Sequence, residues 1–405
     1  MLIDPSRIRV LGPLAPFASG FAEELNRQGY TLSSARKQMW LLAHLSQWLV
    51  SEGLGVNELR DARLQRFMQA RQAAGRTQLR SVKALGPLMG YLRNFGVSPV
   101  PLPAPPGDPV DDLLEQYRSY LTVERGLVAA AARCYCTKVR PFLQGRLSPD
   151  GRTLELAHLS APDVVNFVVA RCPSLGRSTA SLTVCALRSL LGFLHVEGLI
   201  ERSLSSYVPP VAGRRLAGLP KGLDANQVQD LLASCDLKLA VGCRDFAVLT
   251  LLVRLGLRSG EVAKLGLDDI DWRAGEIIVQ GKGSCERLPL PVDVGQAVAT
   301  YLRERRPTTA HGRTVFVRFK APHRALTNGG VTQIVAAAGR RAGLGTIYAH
   351  RLRHTAASAM LRAGASLPEV GQLLRHRRAV TTAIYAKVDY EALRMIAQPW
   401  PGDSA

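Results

Sequence analysis

The chain has 405 residues, 47% of them hydrophobic, and carries 52 Lys and Arg against 32 Asp and Glu, a formal net charge of +20. This length predicts two to four domains, and the hydrophobic content excludes global disorder. The excess of positive charge indicates an anionic partner, and nucleic acid is the first candidate. An anionic membrane surface, or a basic soluble protein without such a partner, is the alternative that charge alone leaves open.

The seven cysteines are scattered along the chain, and the one close pair, Cys134 and Cys136, lacks the usual zinc spacing. We therefore expect free thiols, no bound metal and no cofactor. The longest apolar runs, such as 246–253, are too short to span a bilayer, and the N-terminus lacks a basic-then-apolar signal pattern. The sequence predicts a cytoplasmic, nucleoid-associated protein without a membrane partner.

Two segments rich in proline and glycine, 98–109 and 209–221, are predicted to be linkers because they cannot continue a helix. They divide the chain into three blocks with the approximate boundaries 1–100, 108–210 and 220–405. Each block is long enough to form a hydrophobic core of its own.

The first two blocks resemble each other. In Val82 to Gly96 and in Val184 to Gly198, the residues Val, Ala, Leu, Leu, Gly, Leu and Gly recur at one constant offset. Upstream, RFMQAR (Arg66 to Arg71) is similar to NFVVAR (Asn166 to Arg171). The order of these matches predicts a duplication, and the helical spacing of apolar residues predicts two bundles of four or five helices.

The third block mixes both kinds of secondary structure. Asp245 to Leu255 is predicted to be an apolar helix that breaks at Gly256. The segments Glu276 to Gln280 and Arg287 to Leu290 flank the turn 281–284, a pattern typical of a β-hairpin. The predicted fold class is mainly α with a small hairpin or sheet in the third block, that is, α+β.

Several polar residues of the third block stand where a hydrophobic core would not place them: Arg258, Lys282, His350, Arg353, His376 and Tyr385. A tyrosine hydroxyl has a pKa near 10, so only about a thousandth is ionised at pH 7. Guanidinium groups favour the phenolate, and their forked donors suit the charged oxygens of a pentacoordinate phosphate. This set of side chains suits metal-free transesterification of a phosphodiester.

Four segments resemble the motifs of the tyrosine recombinase, or phage integrase, family: GLRSGEVAKL (Gly256 to Leu265), GKGSCERLPLP (Gly281 to Pro291), HRLRHTAASAML (His350 to Leu361) and LLRHRRAVTTAIYAKV (Leu373 to Val388). They occur in the family's order and cover about 220–390. More weakly, 110–210 is similar to the family's helical, SAM-like core-binding domain. The resemblance implies two helical N-terminal bundles followed by an integrase-like catalytic domain.

The resemblance also implies a role for each residue. Arg258 and Arg353 would clamp the scissile phosphate, and His350 would act as an acid–base group and phosphate ligand. His350 and Arg353 are three residues apart, so we expect them on one helix face. Glu261 matches an acidic position of the family and would orient the cluster, whereas His354 is expected to be structural.

The remaining roles concern the strand that is cut. Tyr385 would be the nucleophile, Lys282 on the hairpin would protonate the departing 5′ oxygen, and His376 would hydrogen-bond a non-bridging oxygen. Tyr390 lies close in sequence, but its spacing from His376 fits the motif less well. The implied product is a 3′-phosphotyrosine link with a free 5′-hydroxyl, which can be rejoined without ATP or metal.

The chain departs from the family around His376. The family often has LLGHS, and this sequence has LLRHRR, which adds Arg375, Arg377 and Arg378. These three are predicted either to contact DNA or support the phenolate, or to be solvated surface. The block 1–100 is longer than the minimal architecture requires and is predicted to be a DNA-binding or accessory domain.

The implied function is site-specific recombination of double-stranded DNA by a homo-multimer, with a tetramer expected and partner recombinases as further candidates. Phage integration, transposition and chromosome-dimer resolution would all use this chemistry. A type IB topoisomerase would use a similar residue set on one duplex. A catalytically silent DNA-binding protein is disfavoured, because no residue of the set is missing. Beyond Tyr385, 389–396 is predicted to be a short helix that docks either on a neighbouring subunit or on its own domain.

Overall fold

A computed structural model describes the residues 4–97, 108–211, 222–281, 285–375 and 382. By contacts between Cα atoms the chain forms two units, one comprising Leu102–Arg215 and the other Met1–Pro101 together with Leu216–Ala405. The described residues are mostly helical and contain one three-stranded sheet, which confirms the predicted fold class. The predicted linkers lie largely outside the described residues, so the three-block division stays a prediction.

The described residues of the first block contain four α-helices: α1 Ala18–Arg27, α2 Leu32–Ser51, α3 Asp61–Ala73 and α4 Gly86–Asn94. The start of α2 is set by Thr31, whose side-chain oxygen accepts a hydrogen bond from the Ser34 amide at 3.3 Å. Large apolar side chains from these helices, including Phe21, Leu42 and Phe67, are fully buried in one hydrophobic core.

Within 108–211 the chain forms a second set of four α-helices: α5 Pro109–Val123, α6 Ala129–Gln144, α7 Ala161–Arg171 and α8 Arg177–Val196. Asp108 caps α5, and Pro109 occupies its first turn, where a missing amide proton costs nothing. By length and composition α8 could cross a bilayer. It instead supplies core residues such as Leu187 and Leu191, and Phe193 packs against Tyr117 with ring centroids 5.3 Å apart.

The two segments predicted to be repeats differ locally. Val184 to Val196 continues the single helix α8, whereas Val82–Leu85 is a turn of 3-10 helix that precedes α4. Pro87 explains the difference, because proline lacks an amide proton and clashes with the carbonyl four residues earlier in a helix interior. The α-helix therefore begins at Gly86, and the duplication stays a prediction.

The described residues of the third block contain seven α-helices: α9 Ala225–Ala233, α10 Ala240–Leu255, α11 Ser259–Lys264, α12 Val292–Thr300, α13 Asn328–Arg341, α14 Ala349–Arg362 and α15 Leu367–Leu373. The central one is α10, which is buried along almost its whole length and packs against α12 and α14. An amphipathic helix has one polar face exposed to solvent. The continuous apolar run of α10 instead reflects its place inside the core.

The sheet is antiparallel, with the strand order β1 Ile270–Asp271, β2 Glu276–Gln280 and β3 Cys285–Pro289. Ile277 and Leu288 face each other across β2 and β3, and both are buried on the core side. The predicted strands are thus confirmed as a β2–β3 pair, whereas β1 was not predicted because two residues show no periodicity.

The first and third blocks touch at the end of α1. Gly29 has a φ of 79°, and a Cβ atom there would lie 2.4 Å from Thr309 Oγ1 and 2.8 Å from the His323 ring. Any larger residue would be strained by its backbone conformation and would clash with both neighbours. Glycine is therefore required where this turn meets the segment that precedes α13.

Candidate active site

The turn after α10, at Gly256 to Arg258, forms the first part of the site. Gly256 ends α10 with a φ of 58°, and a Cβ atom there would lie 2.5 Å from Leu374 Cδ2 and 3.2 Å from Ala356 Cβ. Only glycine permits both this left-handed cap and the close approach to α14 and to the end of α15. The turn places Arg258 at the N-cap of α11.

The Arg258 side chain is hydrogen-bonded to the protein and also partly exposed to solvent. Its Nη1 donates to Glu261 Oε1 at 2.6 Å, and its Nη2 donates to the Arg375 carbonyl oxygen at 3.2 Å. The side chain nevertheless remains 46% exposed. A guanidinium carries five N–H donors, so this arrangement fixes its plane and leaves donors on its exposed side for an anion.

Glu261 is the buried acceptor on which the arginines converge. Its Oε2 accepts from the Arg258 backbone amide at 2.8 Å and from Arg375 Nη2 at 2.8 Å. Burial alone would raise its pKa, but the Arg258 amide, the Arg375 guanidinium and the Arg258 guanidinium outweigh burial and lower the pKa below its ordinary value. Glu261 is therefore an anion at neutral pH.

The position of Arg375 corrects a prediction. DNA contact, support of the phenolate or solvated surface was expected, but the Arg375 side chain is only 2% exposed and pairs with Glu261, which contradicts solvated surface and direct DNA contact. Its Nη1 also donates to the Leu373 carbonyl oxygen at 3.0 Å. This burial could not be predicted from the sequence, because the partner lies 114 residues away and pairing depends on tertiary packing.

Arg353 connects the turn after α10 to the end of α15. Its Nη1 donates to the Gly256 carbonyl oxygen at 2.6 Å, and its Nη2 donates to the Leu374 carbonyl oxygen. The residue is 3% exposed, whereas His350, three positions earlier on α14, is exposed. The two residues share a helix as predicted, but Arg353 lies beneath the surface of the site and His350 lies at its edge.

The histidines of α14 are held in the neutral form. Partial desolvation, Arg353 and Arg258 all lower the pKa of His350, although the residue keeps much of its accessible surface. The His354 ring lies 4.4 Å from that of His350, centroid to centroid. Burial, His350 and Arg353 lower the pKa of His354 to about 4.

We expect His354 to stay neutral in the folded protein down to about pH 4. An unfolded histidine binds a proton near pH 6.5, whereas folded His354 does so only near pH 4. The free energy of unfolding is therefore unaffected by His354 above pH 6.5 and decreases as the pH falls from 6.5 towards 4. At about 1.4 kcal/mol per pKa unit, the loss is at most about 3.5 kcal/mol. The measurement is an NMR titration of the histidine rings, in which His354→Asn identifies the His354 signal. A His354 signal that titrates near pH 6.5 would contradict this account.

Five predicted site residues lie outside the described residues: Lys282, His376, Arg377, Arg378 and Tyr385. The structure brings Arg258, Glu261 and Arg353 together with Arg375, and His350 lies close enough for Arg353 and Arg258 to lower its pKa. The two carbonyl acceptors of Arg353, on Gly256 and Leu374, were not predicted from the sequence. The helix break at Gly256 was the one available signal, since a left-handed turn exposes its carbonyl groups.

Comparison with known proteins assigns the class. The model of the Phage integrase family matches 221–392, and that of the Phage integrase N-terminal SAM-like domain matches 114–198. Protein y4rA of Sinorhizobium fredii, named as an integrase/recombinase, is 40% identical over 97% of this chain and 96% of its own length. Tyrosine recombinase XerD of Mycobacterium tuberculosis is 34% identical over 71% of this chain and 96% of its own length.

Solved structures share the fold. The XerH site-specific recombinase, bound to a palindromic difH substrate in a post-cleavage complex, has a TM-score of 0.55 at 19% identity, over 83% of this chain and 94% of that one. The matched fold and motifs define a DNA breaking-and-rejoining enzyme. The chain belongs to the phage integrase family and is a tyrosine recombinase.

Proposed function

We propose that the protein recombines specific duplex DNA sites of a mobile element by way of a 3′-phosphotyrosine link to Tyr385. The observation that carries this proposal is the convergence of Arg258 and Arg353 on the turn 373–375, where Arg258 presents a half-exposed guanidinium. A preorganised fork of donors is what a phosphodiester requires as its non-bridging oxygens gain charge.

The proposed step balances without a cofactor. The Tyr385 hydroxyl gives its proton to the neutral His350 ring as its oxygen attacks phosphorus, the bond from phosphorus to the 5′ oxygen breaks, and Lys282 supplies the proton that the 5′ oxygen takes up. Rejoining reverses these events, so the phosphodiester bond energy is kept in the link. Arg258 and Arg353 stabilise the transition-state charge, while His376 donates to a non-bridging oxygen. The lowered pKa of His350 keeps its ring neutral and able to accept a proton near pH 7.

Recombination is favoured over relaxation of single duplexes because the family match includes a SAM-like domain ahead of the catalytic block. The chain also aligns with y4rA over 97% of its length, whereas the XerD relative covers 71% of it. The extra length supports a mobile-element enzyme, either an integrase or a transposase, over a chromosome-dimer resolvase. We propose that it acts in the cytoplasm at the nucleoid, as a homotetramer on DNA or together with partner recombinases.

The test starts from target sites found by sequencing DNA that stays linked to the protein after denaturation. Two plasmids that each carry one such site should yield a cointegrate when incubated with the protein alone, without metal or nucleotide. A plasmid with a single site should keep its supercoils over the same period. Relaxation of that plasmid by monomers, with no cointegrate, would instead assign a type IB topoisomerase-like activity.

We also propose that the first block binds DNA. The segment 62–97 contains no Asp or Glu and seven basic residues: Arg63, Arg66, Arg71, Arg76, Arg80, Lys83 and Arg93. Arg71 Nη1 lies 2.8 Å from His44 Nδ1 on α2, and its Nη2 donates to the Gln78 carbonyl oxygen at 3.1 Å. Trp40 is 51% exposed beside His44. These contacts place an exposed aromatic ring next to Arg71, a combination that suits nucleic acid. Of the seven basic residues, Arg63 and Arg66 form ion pairs with Glu58 and Glu52.

The loop 74–81, which carries Arg76 and Arg80 and is called the basic loop below, predicts that DNA affinity depends on salt concentration. Each phosphate neutralised contributes about −0.9 to the slope of log K against log salt concentration. Changing both Arg76 and Arg80 to Gln should therefore make the slope shallower by about 2, with uniform weakening across DNA sequences. Fluorescence anisotropy over a salt series measures this slope. Arg27→Gln is the matched control, because Arg27 is already paired with Glu24 at 2.5 Å. Equal slopes for all variants would reject a DNA-binding role for this loop.

A further inference from the structure

Arg375 combines three features that are individually unfavourable. It has a φ of 56°, in the left-handed region that costs a non-glycine residue about 1–2 kcal/mol. Its guanidinium is buried at 2% exposure, and its Nε has no hydrogen-bond partner among the described residues. A folded protein keeps such a residue only where the surrounding contacts over-determine it.

The contacts that hold Arg375 form a closed ring with the half-exposed arginine. Arg258 Nη2 donates to the Arg375 carbonyl oxygen at 3.2 Å, and Arg375 Nη2 donates to Glu261 Oε2 at 2.8 Å. The ring closes where Arg258 Nη1 donates to Glu261 Oε1 at 2.6 Å. Arg375 therefore touches Arg258 directly through its backbone and indirectly through the carboxylate.

The division of the carboxylate oxygens has a consequence for Arg258. A lone arginine beside a carboxylate tends to form a bidentate pair, in which two parallel N–H groups face both oxygens. Here the Arg375 side chain and the Arg258 backbone amide occupy Oε2, which leaves only Oε1 for the Arg258 guanidinium. The second positive charge also reduces the attraction that Glu261 exerts on Arg258.

We propose that Arg375 is a positioning residue, which shares the Glu261 carboxylate with Arg258 so that Arg258 keeps its remaining donors turned to the DNA phosphate. Without Arg375, Glu261 would draw Arg258 into a bidentate pair and away from the DNA phosphate. This inference rests on the proposed function, because the phosphate is the ligand for which Arg258 is held. Arginine in place of the family's glycine thus adds an ion pair between the turn 373–375 and α11.

The test uses Arg375→Gly, which tolerates the left-handed backbone, next to Arg375→Lys, which keeps a charge. On a nicked suicide duplex we expect Arg375→Gly to bind DNA within about twofold of the wild type but to form the covalent adduct roughly 10–100-fold more slowly. Arg375→Lys should recover part of that rate. Guanidinium chloride at low millimolar concentration should also raise the rate of Arg375→Gly, and sodium chloride at equal ionic strength should not.

A mutant cycle with Glu261→Gln separates positioning from a general loss of structure. If Arg375 acts by balancing the carboxylate, its removal in the Glu261→Gln background should cost less than about threefold in adduct formation. Two independent structural defects would instead multiply. Wild-type cleavage by Arg375→Gly, or multiplicative losses in the double variant, would overturn the inference. Failure of the wild type itself to form an adduct would refute the proposed function, which is a different outcome.

Discussion

Tyr385→Phe is expected to abolish the covalent protein–DNA adduct while leaving DNA binding unchanged. The substitution removes one oxygen, and without it no bond to phosphorus can form, whereas the aromatic ring is retained. A nicked suicide duplex traps the adduct, because the short 5′-hydroxyl strand diffuses away before it can rejoin. Denaturing gel electrophoresis then counts protein that carries labelled DNA, and a native gel measures binding.

Tyr390→Phe is the matched control for the nucleophile. It makes the same chemical change five residues later, and we expect it to form the adduct at close to the wild-type rate. If Tyr390→Phe lost the adduct and Tyr385→Phe kept it, the nucleophile would be Tyr390. An adduct in both single variants would place the nucleophile on another side chain altogether.

The sequence predicted those parts of the third block that depend on local pattern. β2 was predicted at Glu276–Gln280, where the structure has it, and its residues alternate in burial. The second strand was predicted at Arg287 to Leu290 and lies at Cys285–Pro289. Periodicity on both sides of the turn 281–284 was therefore sufficient to find the strand pair, though not the bounds of β3. The helix that ends before Gly256 was likewise predicted, since its apolar run and its glycine break are both local. These features needed no knowledge of distant residues.

Burial within the site could not be predicted in the same way. Arg353 and Arg375 are charged residues that a sequence pattern assigns to a surface or a ligand, yet both are almost fully buried. Their partners include the Gly256 and Leu374 carbonyl groups for the first and Glu261 for the second. Gly256 and Glu261 lie about 100 residues away along the chain from the arginines that they bind. Only the packing of α10, α11, α14 and α15 brings them together.

Arg258→Lys should separate binding from catalysis. Lysine keeps the positive charge, so we expect the DNA dissociation constant to change by less than about threefold. It cannot donate at once to Glu261, to the Arg375 carbonyl group and to a phosphate oxygen, because its three donors radiate from one nitrogen. Loss of one preorganised donor to a transition-state oxyanion commonly costs about 10²–10³-fold, so adduct formation should slow by about that factor.

Single-turnover adduct formation at saturating protein measures the rate, and a binding titration on the same duplex measures affinity. Arg254→Lys is the control, because Arg254 lies four residues earlier and forms an exposed pair with Asp293 at 2.7 Å. An exposed pair contributes little, so this variant should behave as the wild type. Equal slowing of both variants would mean that Arg258 acts through the stability of α10 and α11. A phosphate clamp requires that Arg258→Lys alone slows adduct formation and that DNA binding is preserved. The forked guanidinium of arginine and the single ammonium group of lysine differ mainly in how well they stabilise the charge that develops in the transition state.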